Sequence, residues 1–110
     1  MEKTILIDEK KITFKSTGAT ALRYKAQFGK DYLTEILKLD KLKKFNMEDG
    51  NIDGADFEVF YNIAWVMAKT ADQSISDPLT WLDGFDEFPL LDIIPELQEL
   101  MTSSLKGKKK

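Results

Sequence analysis

Apolar residues recur at helical spacing along residues 56–73 and cover most of the circumference that a helix would have there. One face would carry Phe57, Phe60, Tyr61, Ala64, Met67, Ala68 and Ala71, and Val59, Ile63 and Val66 widen it. The remaining polar stripe is narrow and runs through Glu58, Asn62, Lys69 and Asp72. Such a helix must be wrapped by its neighbours, because exposure to water would forfeit its burial energy. The pattern therefore predicts a central core helix at 56–73.

Two short β-prone runs, residues 4–7 and 12–15, lie near the N-terminus and are separated by the polar residues 8–11. This arrangement predicts a β-hairpin with a polar turn. Two strands alone are only marginally stable, so we expect the hairpin to pack on the helices.

Two helices are predicted between the hairpin and the central helix. The first covers 19–28 and ends at Gly29, a residue that favours helix C-termini. Asp31 can cap the second helix. Its expected inward residues are Leu33, Ile36 and Leu37. Residues 43–55 contain two glycines and no helical periodicity, which predicts a loop.

Two further helices are predicted after the central one, and each begins near a proline. Asp77 and Pro78 start a short helix, with Pro at the first helical position. Its expected inward side chains are Trp81, Leu82 and Phe85. Pro89 opens the last helix, which runs to residue 101. We expect Pro95 to kink that helix or to split it in two.

These elements predict a mainly α fold, with about five helices around the central apolar helix (56–73) and a small N-terminal β-hairpin. The 110 residues suffice for one modest hydrophobic core. We expect a single domain over residues 1–105, followed by a disordered basic tail at 106–110.

Composition narrows the function classes. The chain has no cysteine and no histidine, so Ser-His and Cys-His nucleophilic systems and zinc sites of the His/Cys type are excluded. Clustered acids on the later helices are typical of solvated helix faces. We therefore expect no enzymatic activity and no cofactor. No apolar run is long enough to span a membrane, and a cytoplasmic protein fits best.

The net charge of −3 conceals a strong asymmetry along the chain. Residues 1–44 carry a net charge of +5, residues 45–105 carry −12, and the last five residues carry +4. Such asymmetry indicates either a charged partner or a neighbouring copy of the same protein. Solvated faces that happen to segregate by charge are the alternative.

The segment Asp49–Gly54 matches the first six positions of a calcium-binding EF-hand loop. The twelfth position, where a bidentate glutamate is required, falls on Phe60. A calcium-responsive module therefore stands as an alternative function against an ordinary Asn/Asp/Gly loop.

Residues 19–37 form two predicted helices joined through Gly29, a spacing that also fits a helix-turn-helix. Arg23, Lys25 and Lys30 would then contact phosphates. A small DNA-binding regulator is thus a second alternative, although the acidic remainder of the chain would repel DNA. We expect no nucleic-acid partner.

Aromatic and aliphatic residues in the last third of the chain are candidates for contacting a partner. In a chain this small, some of them can remain on the surface as an apolar patch for a partner helix. The candidate residues are Trp81, Phe85, Phe88, Ile94 and Leu97. A place in the core is the alternative for each.

Three segments resemble the tail assembly chaperones of long-tailed phages and prophages of Gram-positive bacteria. They are T-G-A-T-A-L-R-Y-K-A-Q-F-G-K-D at 17–31, A-W-V-M-A-K-T-A-D at 64–72 and D-P-L-T-W-L-D-G-F at 77–85. The resemblance implies a non-enzymatic assembly factor of the host cytoplasm that is absent from the mature virion. Such proteins bind the helical tape measure protein, keep it soluble and recruit tail tube subunits around it.

The resemblance also implies that a −1 ribosomal frameshift near the end of the gene yields a longer, tube-binding product. Lys106, Gly107 and Lys108 can be encoded by codons that contain the slippery heptamer G-GGA-AAA. One hypothesis is that this chain is the shorter, unshifted product, and a solubilising tail is the alternative. The charge asymmetry adds the hypothesis that copies stack head to tail, since such a contact can generate a spiral.

Overall fold

The computed structural model describes the backbone of residues 1–43 and 54–106, and the side chains of 1–37, 58–89 and 92–102. Strands β1 (Glu2–Ile7) and β2 (Lys10–Lys15) come first. Helices α1 (Thr20–Phe28), α2 (Tyr32–Lys43), α3 (Gly54–Ala71), α4 (Pro78–Asp83) and α5 (Leu90–Lys106) follow. Within the described residues the fold is therefore helix-rich, with five helices and one antiparallel hairpin, which confirms the fold class at that level.

The hairpin turn is tighter than the sequence predicted. Ile7 pairs with Lys10, so only Asp8 and Glu9 lie between the strands. Their φ angles are 53° and 64°. Positive φ at both central residues is typical of a type I′ turn, whose twist matches that of the flanking strands. The predicted turn at 8–11 is wrong by two residues, because the charged residues at its end continue the strand pairing.

Local capping signals correctly predicted where α1 ends and where α2 begins. Gly29 adopts the left-handed conformation, with φ 71°, and donates its N–H to the carbonyl of Lys25. Asp31 accepts two hydrogen bonds of 3.0 Å, from the backbone N–H and the hydroxyl of Thr34. These bonds hold the pKa of Asp31 below its ordinary value.

The predicted inward face of α2 is wrong for two of its three residues. Leu33 is 49% exposed and Leu37 is 57% exposed, whereas Ile36 is half-buried. The buried side chains are instead Tyr32 and Glu35. Counting apolar positions cannot anticipate this rotation, because a carboxyl group can be buried when a neighbouring helix supplies hydrogen-bond donors.

Helix α3 begins and ends two residues earlier than the predicted 56–73. It packs against β2, α1, α2, α4 and α5. Its buried residues are Val59, Phe60, Ile63, Ala64, Trp65, Val66, Met67 and Ala68. Trp65 was not predicted to lie on the apolar face. The indole N–H of Trp65 donates to the carbonyl of Ser76 at 2.8 Å, so the ring is buried with its polar atom satisfied.

Helix α5 is continuous across Pro95, so of the two predicted outcomes, a kink or a split, the split is wrong. The carbonyl of Pro89 accepts the N–H groups of Asp92 and Ile93, both at 3.1 Å, and starts the helix as predicted. Pro95 is exposed, and it lacks the N–H that would donate to the carbonyl four residues earlier. The helix also extends to Lys106, beyond the predicted end at residue 101.

The hairpin and the helices share one hydrophobic core. Ile7 and Phe14 from the hairpin are 1% and 0% exposed. The other large contributors are Tyr24, Tyr32, Phe60, Ile63, Met67, Ile93, Leu97 and Leu100. Among the helices of the described residues, none combines the length and the apolar character that crossing a bilayer requires.

Two predictions fall largely beyond what the structure describes. Residues 44–53, which make up most of the predicted loop at 43–55, lie outside the described residues. The predicted tail at 106–110 lies outside them from residue 107 onward, and residue 106 is the last of α5.

Candidate partner-binding surface

Among the residues that the sequence singled out for partner contact, Trp81 lies on α4 and Phe85 and Phe88 follow that helix. Two residues set the start of α4. Asp77 accepts the N–H of Thr80 at 3.1 Å, and Pro78 occupies the first turn. Hydrogen bonds from Thr80 hold the pKa of Asp77 below its ordinary value. Gly84 ends the helix, and its N–H donates to the carbonyls of Trp81 and Leu82. The short helix is therefore fixed at both ends by local chemistry.

Four aromatic rings meet beside α4, and we call Tyr61, Trp81, Phe85 and Phe88 the aromatic patch. The ring centroids of Trp81 and Phe85 lie 5.3 Å apart, nearly edge to face. Phe88 lies 5.8 Å from Trp81 and 5.4 Å from Phe85. Tyr61 of α3 lies 5.8 Å from Phe88 and joins the group to that helix. Each such pair contributes about 0.5–1.5 kcal/mol beyond its burial.

All four rings of the aromatic patch are half-buried. Trp81, Phe85 and Phe88 pack against the hydrophobic core, and each residue keeps part of its surface accessible to solvent. The predicted inward orientation of Trp81 and Phe85 is therefore only partly met. A half-buried cluster of aromatic rings is both a packing element and an exposed apolar surface.

The hairpin turn holds the segment that carries Phe85 in place. The side chain of Asp8 accepts the backbone N–H of Asp86 at 2.9 Å. The ammonium group of Lys10 donates to the carbonyl of Gly84 and lies 5.2 Å from the centroid of the Phe85 ring. A cation over an aromatic face is attracted by the electron density of the ring. The N-terminal hairpin thus anchors this end of the aromatic patch.

The segment that carries the aromatic patch is acidic. Four carboxylates between residues 77 and 87 are exposed: Asp77, Asp83, Asp86 and Glu87. The same segment contains no lysine or arginine, and it adds an aliphatic side chain, Leu79, that is 71% exposed. The surface therefore combines exposed apolar atoms with negative charge.

The other two predicted contact residues lie in a different environment. Ile94 is 6% exposed and Leu97 is 0% exposed, both within the hydrophobic core. Helix α5 is joined to the hairpin by Lys3, whose ammonium group lies 3.2 Å from Glu96 and 2.9 Å from Glu99. A partner could reach Ile94 and Leu97 only if α5 moved away from its neighbours. The structure brings Trp81, Phe85 and Phe88 together and places Ile94 and Leu97 beneath the surface.

A buried polar pair between α1 and α2 was not predicted from the sequence. The hydroxyl of Tyr24 donates to a carboxylate oxygen of Glu35 at 2.9 Å. The two residues are 0% and 1% exposed. Burial, followed by the hydrogen bond with Glu35, raises the pKa of Tyr24 far above its ordinary value. The available signal was the helical position of Glu35, which falls beside Tyr32 and Ile36 on one face of α2.

The two alternative functions rest on other parts of the chain. Residues 49–53 of the EF-hand-like segment lie outside the described residues. Phe60, at the position of the required glutamate, is 0% exposed in the core. Across the described residues, no group of three acids has the spacing of a metal site. The predicted phosphate contacts Arg23, Lys25 and Lys30 are all exposed, and DNA binding stays an untested alternative.

No protein-family model, curated protein or solved structure matches the chain.

Proposed function

We propose that this protein is a non-enzymatic tail assembly chaperone that binds the tape measure protein through the aromatic patch. The observation that carries the proposal is the half-buried cluster of Trp81, Phe85, Phe88 and Tyr61, held in place and partly open to solvent. The resemblance of segments 17–31, 64–72 and 77–85 to that family supports the same conclusion.

The aromatic patch has the chemistry of a polypeptide-binding surface. Tryptophan and tyrosine are enriched among the residues that dominate interface energies. An amphipathic helix can lay its apolar face on such rings. The anchoring contacts from Asp8 and Lys10 reduce the freedom that the 84–88 segment would otherwise lose on binding. A long, partly apolar helical protein is therefore a suitable ligand.

The charge around the aromatic patch specifies the partner further. Exposed carboxylates at Asp77, Asp83, Asp86 and Glu87 favour a helix that carries lysine or arginine beside its apolar face. The same carboxylates would repel an acidic segment. The proposed ligand is thus a basic amphipathic stretch of the tape measure protein.

Exposed apolar residues on α2 give this chain a second apolar surface to which a partner can bind. Leu33 and Leu37 stand one helical turn apart and are about half exposed. Residues at this spacing lie on the same face of a helix. Together with Leu22, which is 73% exposed on α1, they give the first two helices apolar atoms toward solvent.

The proposal has further parts that follow from the family resemblance. The protein acts in the host cytoplasm and does not enter the virion, and a longer frameshifted product recruits the tail tube protein. Copies associate with one another through their opposite charges. The core arrangement in the proposal is a central apolar helix at 56–73, supported by the burial of α3 and its packing against five other elements.

The experiment is co-expression with the tape measure protein of the same phage, measuring how much of that protein is soluble. We expect the wild-type chain to keep it soluble and Trp81→Ala to lose that ability. Glu87→Lys should weaken it as well, since it reverses an exposed charge without removing a core contact. Leu6→Ala serves as the matched control, because Leu6 is 67% exposed on β1, outside the aromatic patch.

Circular dichroism of each purified variant separates a lost contact from a lost fold. If the tape measure protein is equally insoluble with and without the wild-type chain, the proposal is wrong. If Trp81→Ala and Glu87→Lys both retain full solubilising ability, the aromatic patch is not the binding surface.

A further inference from the structure

A groove of about 250 Å³ lies between α1 and α3 and is separate from the aromatic patch. Its lining from α1 is Arg23, Ala26 and Gln27, and its lining from α3 includes Trp65, Val66 and Lys69. Pockets that enclose drug-sized ligands span roughly 300–1,000 Å³. The groove therefore suits one large side chain of a polypeptide better than a free small molecule.

The floor of the groove is apolar. Val66 and Trp65 are 2% and 6% exposed, so each presents only a small part of its surface. The indole N–H of Trp65 is already bonded to the carbonyl of Ser76. The remaining accessible atoms of that ring are carbon, which favours an aliphatic or aromatic side chain.

The rim of the groove is positively charged, with one cation on each wall. The ammonium group of Lys69 donates to the carbonyls of Gln73 at 2.7 Å and Ile75 at 2.6 Å, which fixes its position. An ammonium group has three donors, so one remains for a ligand. Arg23 is exposed, and among the described side chains it forms no ion pair. Among the described residues no acid lines the groove, and the carboxylate that acts electrostatically on Lys69 is that of Asp72 beside it.

We infer that this groove binds an acidic segment of a partner polypeptide, taking one large apolar side chain with a carboxylate beside it. Charge complementarity selects that occupant, because two cations face a space without a carboxylate of its own. The inference rests on the proposed function, in which the chain works by binding another polypeptide. It adds a contact whose charge preference is opposite to that of the aromatic patch, so the bound protein must present acids at one contact and bases at the other.

The test uses a fluorescein-labelled helical peptide of about 18 residues, long enough to be helical. The peptide carries one leucine with a glutamate four positions later, and the matched peptide has glutamine in place of that glutamate. Fluorescence anisotropy measures binding to the full chain. We expect the glutamate peptide to bind more tightly than the glutamine peptide, by about fivefold or more.

Variants of the chain distinguish binding in the groove from non-specific electrostatic attraction to the protein surface. Arg23→Glu should weaken binding of the glutamate peptide by about fivefold or more. Lys25→Glu is the matched control, since it makes the same charge change on the same helix at an exposed residue that does not line the groove. Ala26→Leu should also weaken binding, because it fills the groove without altering charge.

The inference is overturned if the glutamate peptide does not bind, or if Lys25→Glu weakens binding as much as Arg23→Glu does. It is also overturned if light scattering shows that Arg23→Glu changes the mass of the free protein, since the occupant would then be a second copy.

The co-expression test is independent of the peptide-binding test. A chain that solubilises the tape measure protein without binding the peptide would keep the proposed function and lose this inference. A chain that binds the peptide without solubilising the tape measure protein would keep the groove as a peptide site and lose the proposed function.

Discussion

Replacing Tyr24 by phenylalanine tests the buried polar pair that sets the orientation of α2. The change removes one hydroxyl and keeps the ring, which contacts Phe28 and Tyr32 with centroids 5.0 Å and 5.5 Å away. Glu35 retains its other contacts and loses a donor at 2.9 Å. The Tyr24 hydroxyl also has a side-chain hydrogen bond with Asn62. The main expected effect is the loss of the buried hydrogen bond to the carboxyl group of Glu35.

Hydrogen bonds to charged groups contribute about 1.5–3 kcal/mol. Since both residues of the pair are at most 1% exposed, water cannot replace the lost donor without opening the core. We expect Tyr24→Phe to lower the free energy of unfolding by about 2 kcal/mol. With a urea dependence of about 2 kcal/mol/M, the unfolding midpoint should fall by about 1 M.

Urea unfolding followed by circular dichroism measures the change. Tyr61→Phe is the control, because the Tyr61 hydroxyl makes no hydrogen bond among the described residues and that side chain is half-buried. It should stay within about 0.5 kcal/mol of wild type. A double-mutant cycle with Glu35→Leu should be non-additive, since each single change removes the same hydrogen bond between the two side chains. A loss below about 0.5 kcal/mol for Tyr24→Phe, or strict additivity, would refute the reasoning.

Three further predictions concern the helix ends and the charge asymmetry. Gly29→Ala should lower stability in thermal unfolding by about 1 kcal/mol, because φ is 71° at Gly29. Gly18→Ala should be close to neutral, because a Cβ at Gly18 meets no atom within 4 Å. Equal losses of stability in the two variants would contradict this prediction. The pKa values of Asp31, Asp72 and Asp77 lie below the ordinary 3.8. The stability that these three carboxylates contribute to the folded state is therefore fully present above pH 3.8, and it is lost as the pH falls through the lowered values. Urea midpoints measured across that range should fall, and a midpoint that rises would contradict the assignment. Self-association by opposite charges should weaken with salt, and light scattering that shows assembly unaffected by high ionic strength would exclude the electrostatic contact.

Sequence signals that act within a few residues predicted their structures well. Asp31 caps the second helix, Gly29 ends the first, and Asp77 with Pro78 starts the fourth. Each depends on hydrogen bonds or backbone angles set by adjacent residues. Their outcome therefore needs no knowledge of the rest of the fold.

The orientation of α2 depends on a partner that lies on another helix. Leu33 and Leu37 form a plausible inward stripe by composition, and yet Glu35 is the buried residue. The hydroxyl of Tyr24 on α1 donates a hydrogen bond to the carboxylate of Glu35 and so stabilises the orientation of α2 in which Glu35 is buried. A single helix pattern contains no information about that donor.

In the candidate partner-binding surface too, the residue types were predictable from the sequence and the long-range contacts were not. The aromatic residues of α4 and the following loop were recognised from their type and spacing. The contacts that hold them, from Asp8 to Asp86 and from Lys10 to Gly84, join residues more than seventy positions apart. Long-range contacts of this kind follow from the fold and are not encoded in a local pattern.

The most direct test of the central claim, that the chain works by binding a helical protein through the aromatic patch, is the mass of the complex. Purified chain and a soluble tape measure fragment would be mixed and passed through size-exclusion chromatography with light scattering. We predict a soluble complex whose mass contains both proteins and which Trp81→Ala abolishes while Leu6→Ala preserves it. Two separate species at high concentration, or a complex that Trp81→Ala leaves intact, would contradict the claim.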